Sequence, residues 1–235
     1  MTEQPKAIFF DLDGTLLDPS DATLEADWRA SCEACCDGAF EVDRLLPHLH
    51  EIRIGFWKDA ERARRGRADL MWARESIVRD AFAKIGLTND KLAARIGADY
   101  FERREAAIAL FPSAVETVER IRAMGIRTAL ITNGGAAGQR SKVERFALAP
   151  YFDCIVIEGE FGVGKPDERV FHHALSAVGS SPEQTWMVGD NLEADIATPH
   201  RLGMHTVWVD AEARGLPASA AIQPHRIVRT IAELV

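Results

Sequence analysis

The chain has no long apolar run, no second cysteine pair and no excess of basic charge, and each absence removes a class of function. Nothing in it approaches the ~20 consecutive apolar residues of a membrane-crossing helix. A strand-like segment begins within a few residues of the N-terminus and leaves no room for a signal peptide, so a cytoplasmic location is expected. Of the four cysteines, Cys32, Cys35 and Cys36 cluster and Cys154 stands alone in an apolar run. No second ligand pair follows at zinc spacing, so they read as reduced thiols on a helix face. The net charge of −8 argues against general nucleic-acid binding, which needs a basic face. A phosphate-bearing ligand would then require a site built locally, from backbone N–H groups, a lysine and a metal ion. Internal repeats and low-complexity segments are also lacking. What is present is a 235-residue chain, 47% hydrophobic and 27% charged, long enough for a core domain with a smaller insert.

Residues 6–12, KAIFFDL, form a short apolar run bounded by Pro5 and Asp13-Gly14, and predict a buried strand. From about residue 20 to 107 only helical periodicity is visible. Leu45, Leu49, Ile52 and Phe56 make one apolar stripe. Leu70, Ile77, Val78, Ala81, Phe82 and Ile85 make another, closed by Gly86; Leu92, Ile96 and Tyr100 suggest a third. Beyond Leu110 strands and helices alternate. Strands are expected at 126–132, 154–157, 185–188 and 206–209. Helices are expected on the Val115, Val118, Ile121, Met124 face, near 141–146, at 167–178 and at 193–202. Such alternation means βαβ units and a parallel sheet covered on both faces. The expected fold is α/β, a Rossmann-like three-layer core (1–18 and 109–235) with an inserted all-helical cap (19–108). An insert after the first strand belongs at the sheet's ligand-binding edge, where it could act as a lid with hinges near 17–20 and 108–112.

Four polar clusters stand at the ends of the expected strands: Asp11-Leu12-Asp13-Gly14-Thr15, Thr132-Asn133-Gly134-Gly135, Lys165-Pro166, and Gly189-Asp190 with Asp195 beyond it. The C-terminal ends of parallel strands converge, so groups distant in sequence can meet. The pattern suits phosphoryl transfer. Of two carboxylates one residue apart, one can attack phosphorus while the other moves the proton. The Thr132 hydroxyl and the turn N–H groups of Asn133 and Gly134 can hold phosphate oxygens. Lys165 adds a point charge, and magnesium accepts an all-oxygen set with several waters. Singly these signals are ordinary turn and cap chemistry. Their order, each at a strand's end, is not ordinary.

The four clusters, taken in order, resemble the motifs of the haloacid dehalogenase superfamily, in its branch with a helical cap after the first strand. The resemblance implies a phosphatase acting on a small phosphorylated metabolite through an aspartyl-phosphate. It implies Asp11 as nucleophile and metal ligand, and Asp13 as general acid/base that touches the metal through its main-chain carbonyl. Thr15 would support Asp13 by hydrogen bonding, and Lys165 would steady Asp11 and the phosphoryl group. Thr132, Asn133 and Gly134 would bind substrate. Asp11, Asp13, Asp190 and Asp195 would gather Mg2+. Enzymes that dehalogenate 2-haloacids resemble the first motif without the second aspartate, so Asp13 points to phosphate. A sugar-phosphate mutase keeps both aspartates, and a non-catalytic binding protein on the same fold is a third reading. The cap, with its long Arg-rich middle helix, looks most like nucleotidase-like and acylneuraminate-phosphate-phosphatase-like members, with phosphoglycolate phosphatases as the nearest rival. Within it, 62–67 (RARRGR) reads as a solvated helix end, and Trp28, Trp57 and Trp72 read as core. His172 and His173 are expected to be structural, while His200 and His205 could lie near the site. Partners other than the substrate are not expected, neither nucleic acid nor membrane; the chain would be a monomer or homodimer.

Overall fold

A computed structural model describes residues 4–18, 23–218, 220 and 222–235. The chain divides into two compact units, Met1–Asp18 with Ala109–Val235, and Pro19–Ile108.

The first unit is built on a six-stranded parallel sheet ordered β5-β4-β1-β6-β7-β8. Its strands are β1 (Ala7–Phe10), β4 (Arg127–Thr132), β5 (Cys154–Ile157), β6 (Thr185–Gly189), β7 (His205–Val209) and β8 (Arg226–Val228). β1 reads AIFF and is buried on both faces, as expected of a central parallel strand covered by helices on each side. The helices of this unit are α6 (Ala114–Ala123), α7 (Ala136–Arg145), α8 (Glu158–Phe161), α9 (Glu168–Val178) and α10 (Thr198–Arg201). On one face Phe9, Ala129 and Ile131 pack with Val170, Phe171 and Ala174 of α9. Each large side chain so buried contributes about 1.5–3 kcal/mol. On the other face Ile8 lines a small cavity together with Ile121 of α6. Layering is therefore helix, sheet, helix. A two-residue antiparallel pair, β2 (Leu17–Asp18) with β3 (Ala109–Leu110), lies outside this sheet.

The sheet order makes β1 a switch point. The chain passes from β1 to β4 and β5 on one side, then returns to β6, β7 and β8 on the other. In such sheets the crevice beyond the switch-point strand is where ligands bind. Register sharpens this: Phe10 is level with both Leu130 and Val188, and the Asp11 N–H donates to the Val188 carbonyl at 2.9 Å.

Among the described residues, the second unit holds five α-helices: α1 (Leu24–Cys35), α2 (Val42–Lys58), α3 (Ala60–Ala68), α4 (Leu70–Lys84) and α5 (Asp90–Ala107). Its core gathers Leu45, Leu49, Phe56, Ile77, Phe82 and Ile96. Trp28 stacks on Tyr100 at 3.6 Å, and Trp57 and Trp72 pack against the same core. Cys32 and Cys35 are buried there as free thiols. Among the described residues no helix is long and apolar enough to cross a membrane.

Several sequence expectations are corrected. The Arg-rich stretch is not one long helix. Asp59 and Asp69 each accept a backbone N–H, from Arg62 and Trp72, and these two caps cut out the nine-residue α3. Nor is the stretch wholly solvated: Arg62 pairs with Asp80 at 2.5 Å and lies over Phe56, and Arg65 covers Trp72. Met124 is 54% exposed, so the inner face of α6 runs through Ala114, Thr117, Val118 and Ile121 instead. The helix expected at 141–146 starts at Ala136. That expected at 193–202 is a π-helical turn, Leu192–Ala197, followed by α10. His172 and His173 face solvent on α9. His205 begins β7, the end of the strand opposite the switch-point crevice, where it stacks with His225, which in turn stacks on His200. The expected hinge at 17–20 includes Pro19 and Ser20, which lie outside the described residues.

Candidate active site

Asp11 follows the last residue of β1, and its carboxylate is met by Lys165 Nζ at 2.6 Å from Oδ1. The same ammonium holds Asp195 Oδ1 at 2.6 Å. All three side chains are withdrawn from water, with 10%, 2% and 1% exposure for Asp11, Lys165 and Asp195. A buried ammonium keeps its charge only with partners. Burial pulls Lys165 down, but Asp11 and Asp195 hold it above the ordinary lysine value.

Each member is braced by backbone chemistry. Lys165 is fixed by Asn133, whose side-chain amide donates to the Lys165 carbonyl at 2.6 Å and accepts its N–H at 2.7 Å. Asp195 sits on the π-helical turn after β6, and its Oδ2 accepts the Asn191 N–H at 3.0 Å. Asn191 caps that turn by accepting from the Glu193 and Ala194 N–H groups. The Asp190 carbonyl accepts from Trp208 Nε1 of β7 at 2.7 Å.

Carboxylate oxygens of Asp11, Asp190 and Asp195 lie within 4.8 Å of one another. Burial raises the Asp11 carboxyl well above the ordinary carboxylate value; Lys165 opposes this, and the Asp195 and Asp190 charges add to it. Asp190 is pushed up to about 7, first by desolvation and then by Asp195. Although Asp190 is an exposed residue, its carboxyl end is turned inward against Gly14, where a Cβ would collide with Oδ2. Gly14, at φ +84°, has both a conformational and a steric reason to lack a side chain. Three converging carboxylates with one lysine leave uncompensated negative charge among all-oxygen donors, and this set fits a hard divalent cation such as Mg2+.

Asp13 points to α7. Lys142 Nζ lies 2.8 and 2.9 Å from its two carboxylate oxygens, and Gln139 Nε2 donates to Oδ2 at 2.9 Å. Gln139 Nε2 also lies 2.6 Å from Thr132 Oγ1 and 2.8 Å from the Asn133 carbonyl. Gln139, Lys142 and Glu158 were missed in the sequence. The available signal was the spacing of Gln139 and Lys142, one helical turn apart just beyond Thr132-Asn133-Gly134. Reading that helix from 141 put Gln139 in the turn.

Two sequence expectations do not match this geometry. The Thr15 hydroxyl is buried without a hydrogen-bond partner among the described residues, so it does not hold Asp13. The Gly134 N–H, expected to bind substrate, donates to Glu158 Oε2 at 2.9 Å. The turn is thereby tied to α8, and that donor is occupied.

Residues 5–203 match the family of haloacid dehalogenase-like hydrolases. The chain is 33% identical over 231 residues to the phosphoserine phosphatase of Thermus thermophilus, covering 90% of each sequence. It is 29% identical over 248 residues to the N-acylneuraminate-9-phosphatase of Rattus norvegicus, covering 97% of this chain and 92% of that one. The magnesium-bound crystal structure of YfnB from Bacillus subtilis superposes with a TM-score of 0.73 at 22% identity, covering 99% and 97% of the two chains, a likeness of fold.

Proposed function

Since the chain belongs to the haloacid dehalogenase-like hydrolase family and is a hydrolase of phosphate monoesters, we propose that it is a magnesium-dependent phosphatase working through an aspartyl-phosphate on Asp11. The observation that carries this reading is the buried Asp11–Lys165–Asp195 contact beside Asp190, at the crevice where β1 ends.

In this reading Asp11 Oδ2 attacks phosphorus while Lys165 holds Oδ1. The ester P–O bond breaks as the Asp11–phosphorus bond forms, and Asp13 gives its proton to the departing oxygen. Asp13 then takes a proton from water as that water attacks the phosphoryl group, releasing inorganic phosphate and restoring Asp11. Lys165 has one N–H beyond the two given to Asp11 and Asp195, and it serves a phosphoryl oxygen. The Thr132 hydroxyl hydrogen donates to the same group, beside the Asn133 backbone N–H. Asp11, Asp190 and Asp195, with the Asp13 carbonyl, would hold Mg2+, which would supply charge stabilisation for the transferring phosphoryl group. Residues 19–108 would act as the cap that selects a small phosphorylated metabolite.

The test is phosphate release from para-nitrophenyl phosphate, with magnesium or with chelator, by the parent and by Asp11→Asn. The expected result is magnesium-dependent release that is lost in Asp11→Asn. Undiminished release by Asp11→Asn refutes the assignment. A substrate panel should include phosphoserine and N-acylneuraminate 9-phosphate, after the relatives named above.

A further inference from the structure

Asp13 has to do its work from a turn that leaves its side chain partly open to solvent. Its side chain is 33% exposed, although the backbone of the turn is closed by bonds from the Gly14 N–H to the Leu17 carbonyl and from the Leu16 and Leu17 N–H groups to the Leu12 carbonyl. A carboxyl so placed can adopt several rotamers, and proton delivery tolerates little misplacement. Two side chains from adjacent turns of α7 remove that freedom. Lys142, 12% exposed, spans both carboxylate oxygens, and Gln139, 4% exposed, adds a donor to one of them. The Gln139 amide orientation is fixed by its surroundings: the Asp13 carboxylate and the Asn133 carbonyl can only accept, so nitrogen must face them. The same nitrogen lies 2.6 Å from Thr132 Oγ1, so one side chain touches both the proposed proton carrier and the proposed phosphoryl ligand.

We propose that Lys142 and Gln139 are positioning residues that hold the Asp13 carboxyl where it transfers a proton to and from the substrate oxygen. This rests on the reading of Asp13 as general acid. It assigns a role to α7, which none of the four strand-end clusters includes.

The test uses the full-length protein with magnesium and two aryl probes of similar shape, para-nitrophenyl phosphate and phenyl phosphate. Nitrophenolate departs readily without a proton, whereas phenolate needs one. General acid assistance supplies on the order of 10²–10⁴-fold, which bounds the effect. Lys142→Met and Gln139→Glu are each expected to lower kcat/KM for phenyl phosphate at least about tenfold more than for para-nitrophenyl phosphate. Lys142→Arg keeps a cation that can span both oxygens and is expected to restore most of the loss. Asp13→Asn should show the same contrast between probes, and adding Lys142→Met to it should cost nothing further. Structural damage would lower both probes alike. Equal losses on the two probes in Lys142→Met and Gln139→Glu, with the contrast intact in Asp13→Asn, overturn the positioning role and leave the mechanism standing. No contrast in Asp13→Asn overturns the general-acid reading and this inference with it. Gln139→Glu and Lys142→Arg keep polar side chains of similar length, so the question stays answerable should Lys142→Met not fold.

Discussion

Replacing Lys165 with Met should destabilise the protein severely, quite apart from abolishing activity. The substitution keeps the length of the stem and removes only the ammonium. Its two partners stay behind at 10% and 1% exposure, each having lost a 2.6 Å charge-assisted bond. Removing one member of a buried ion pair typically costs about 3–5 kcal/mol, because the remaining charge has neither water nor partner. For a protein of this size that corresponds to a fall in Tm of about 6–20 °C. The measurement is thermal unfolding followed by circular dichroism, in chelator, at pH 8 and at pH 5. The pH dependence has a definite sign. Asp11 already has a carboxyl raised above the ordinary value of 3.8, and Lys165 is the largest influence pulling it down. Without the lysine it rises further, so the folded variant binds a proton that the unfolded chain does not. Stability is then regained as pH falls and lost as pH rises. The deficit should be largest at pH 8 and smaller at pH 5, and Asp195→Asn added to Lys165→Met should recover part of it. A deficit below about 1 kcal/mol at pH 8 would mean that solvent screens the cluster, as at a surface pair, and would refute the reasoning.

Gly14→Ala places a methyl group against Asp190 Oδ2 at a backbone φ of +84°. Besides left-handed strain of roughly 1–2 kcal/mol, Asp190 must turn aside, so the magnesium concentration giving half-maximal phosphatase activity should rise. An unchanged magnesium requirement would remove Asp190 from the proposed ligand set. The His200–His225–His205 stack gives a pH effect of opposite sign to that of Asp11. Burial, aided by His225 and Arg226, pulls His205 below its usual value of 6.5. The unfolded chain binds the proton more readily, so this contribution disappears as pH falls below about 6.5. Urea unfolding between pH 7.5 and 5 should show His205→Asn losing less stability on acidification than the parent, by under about 1 kcal/mol because the ring is partly exposed. Parallel curves would show that the stack is not coupled to folding.

How far the fold could be read depended on the kind of signal each element leaves. β1, β4, β5, β6 and β7 each carry at least three successive apolar residues, with buried positions on both faces, which a one-dimensional reading finds readily. β8 has only three residues, with Arg226 and Ile227 exposed, and β2 and β3 have two each, so none has a pattern to detect. The split between α3 and α4 turns on Asp59 and Asp69, which cap only because the chain bends there; nothing in the sequence separates them from other surface aspartates. The π-helical turn escaped notice because one extra residue per turn hardly alters a short apolar periodicity.

The site divides along the same line. Asp11, Thr132, Lys165 and Asp190 were legible because position relative to a strand's end is itself sequence information, and parallel strands bring their ends together. The second layer is supplied by helix faces. Whether Gln139 meets Asp13 depends on where α7 starts and on its rotation, and the gap between an expected start at 141 and the observed Ala136 exceeds a full turn. Thr15 fails for a related reason: being next in the chain to Gly14 does not aim its hydroxyl at Asp13, and it ends buried with no hydrogen-bond partner among the described residues. Strand ends thus fix which atoms meet at the crevice, whereas helix rotation fixes how tightly they are held. That is why Lys142 and Gln139, on a helix that follows the second cluster, are where activity can be changed without touching the four clusters themselves.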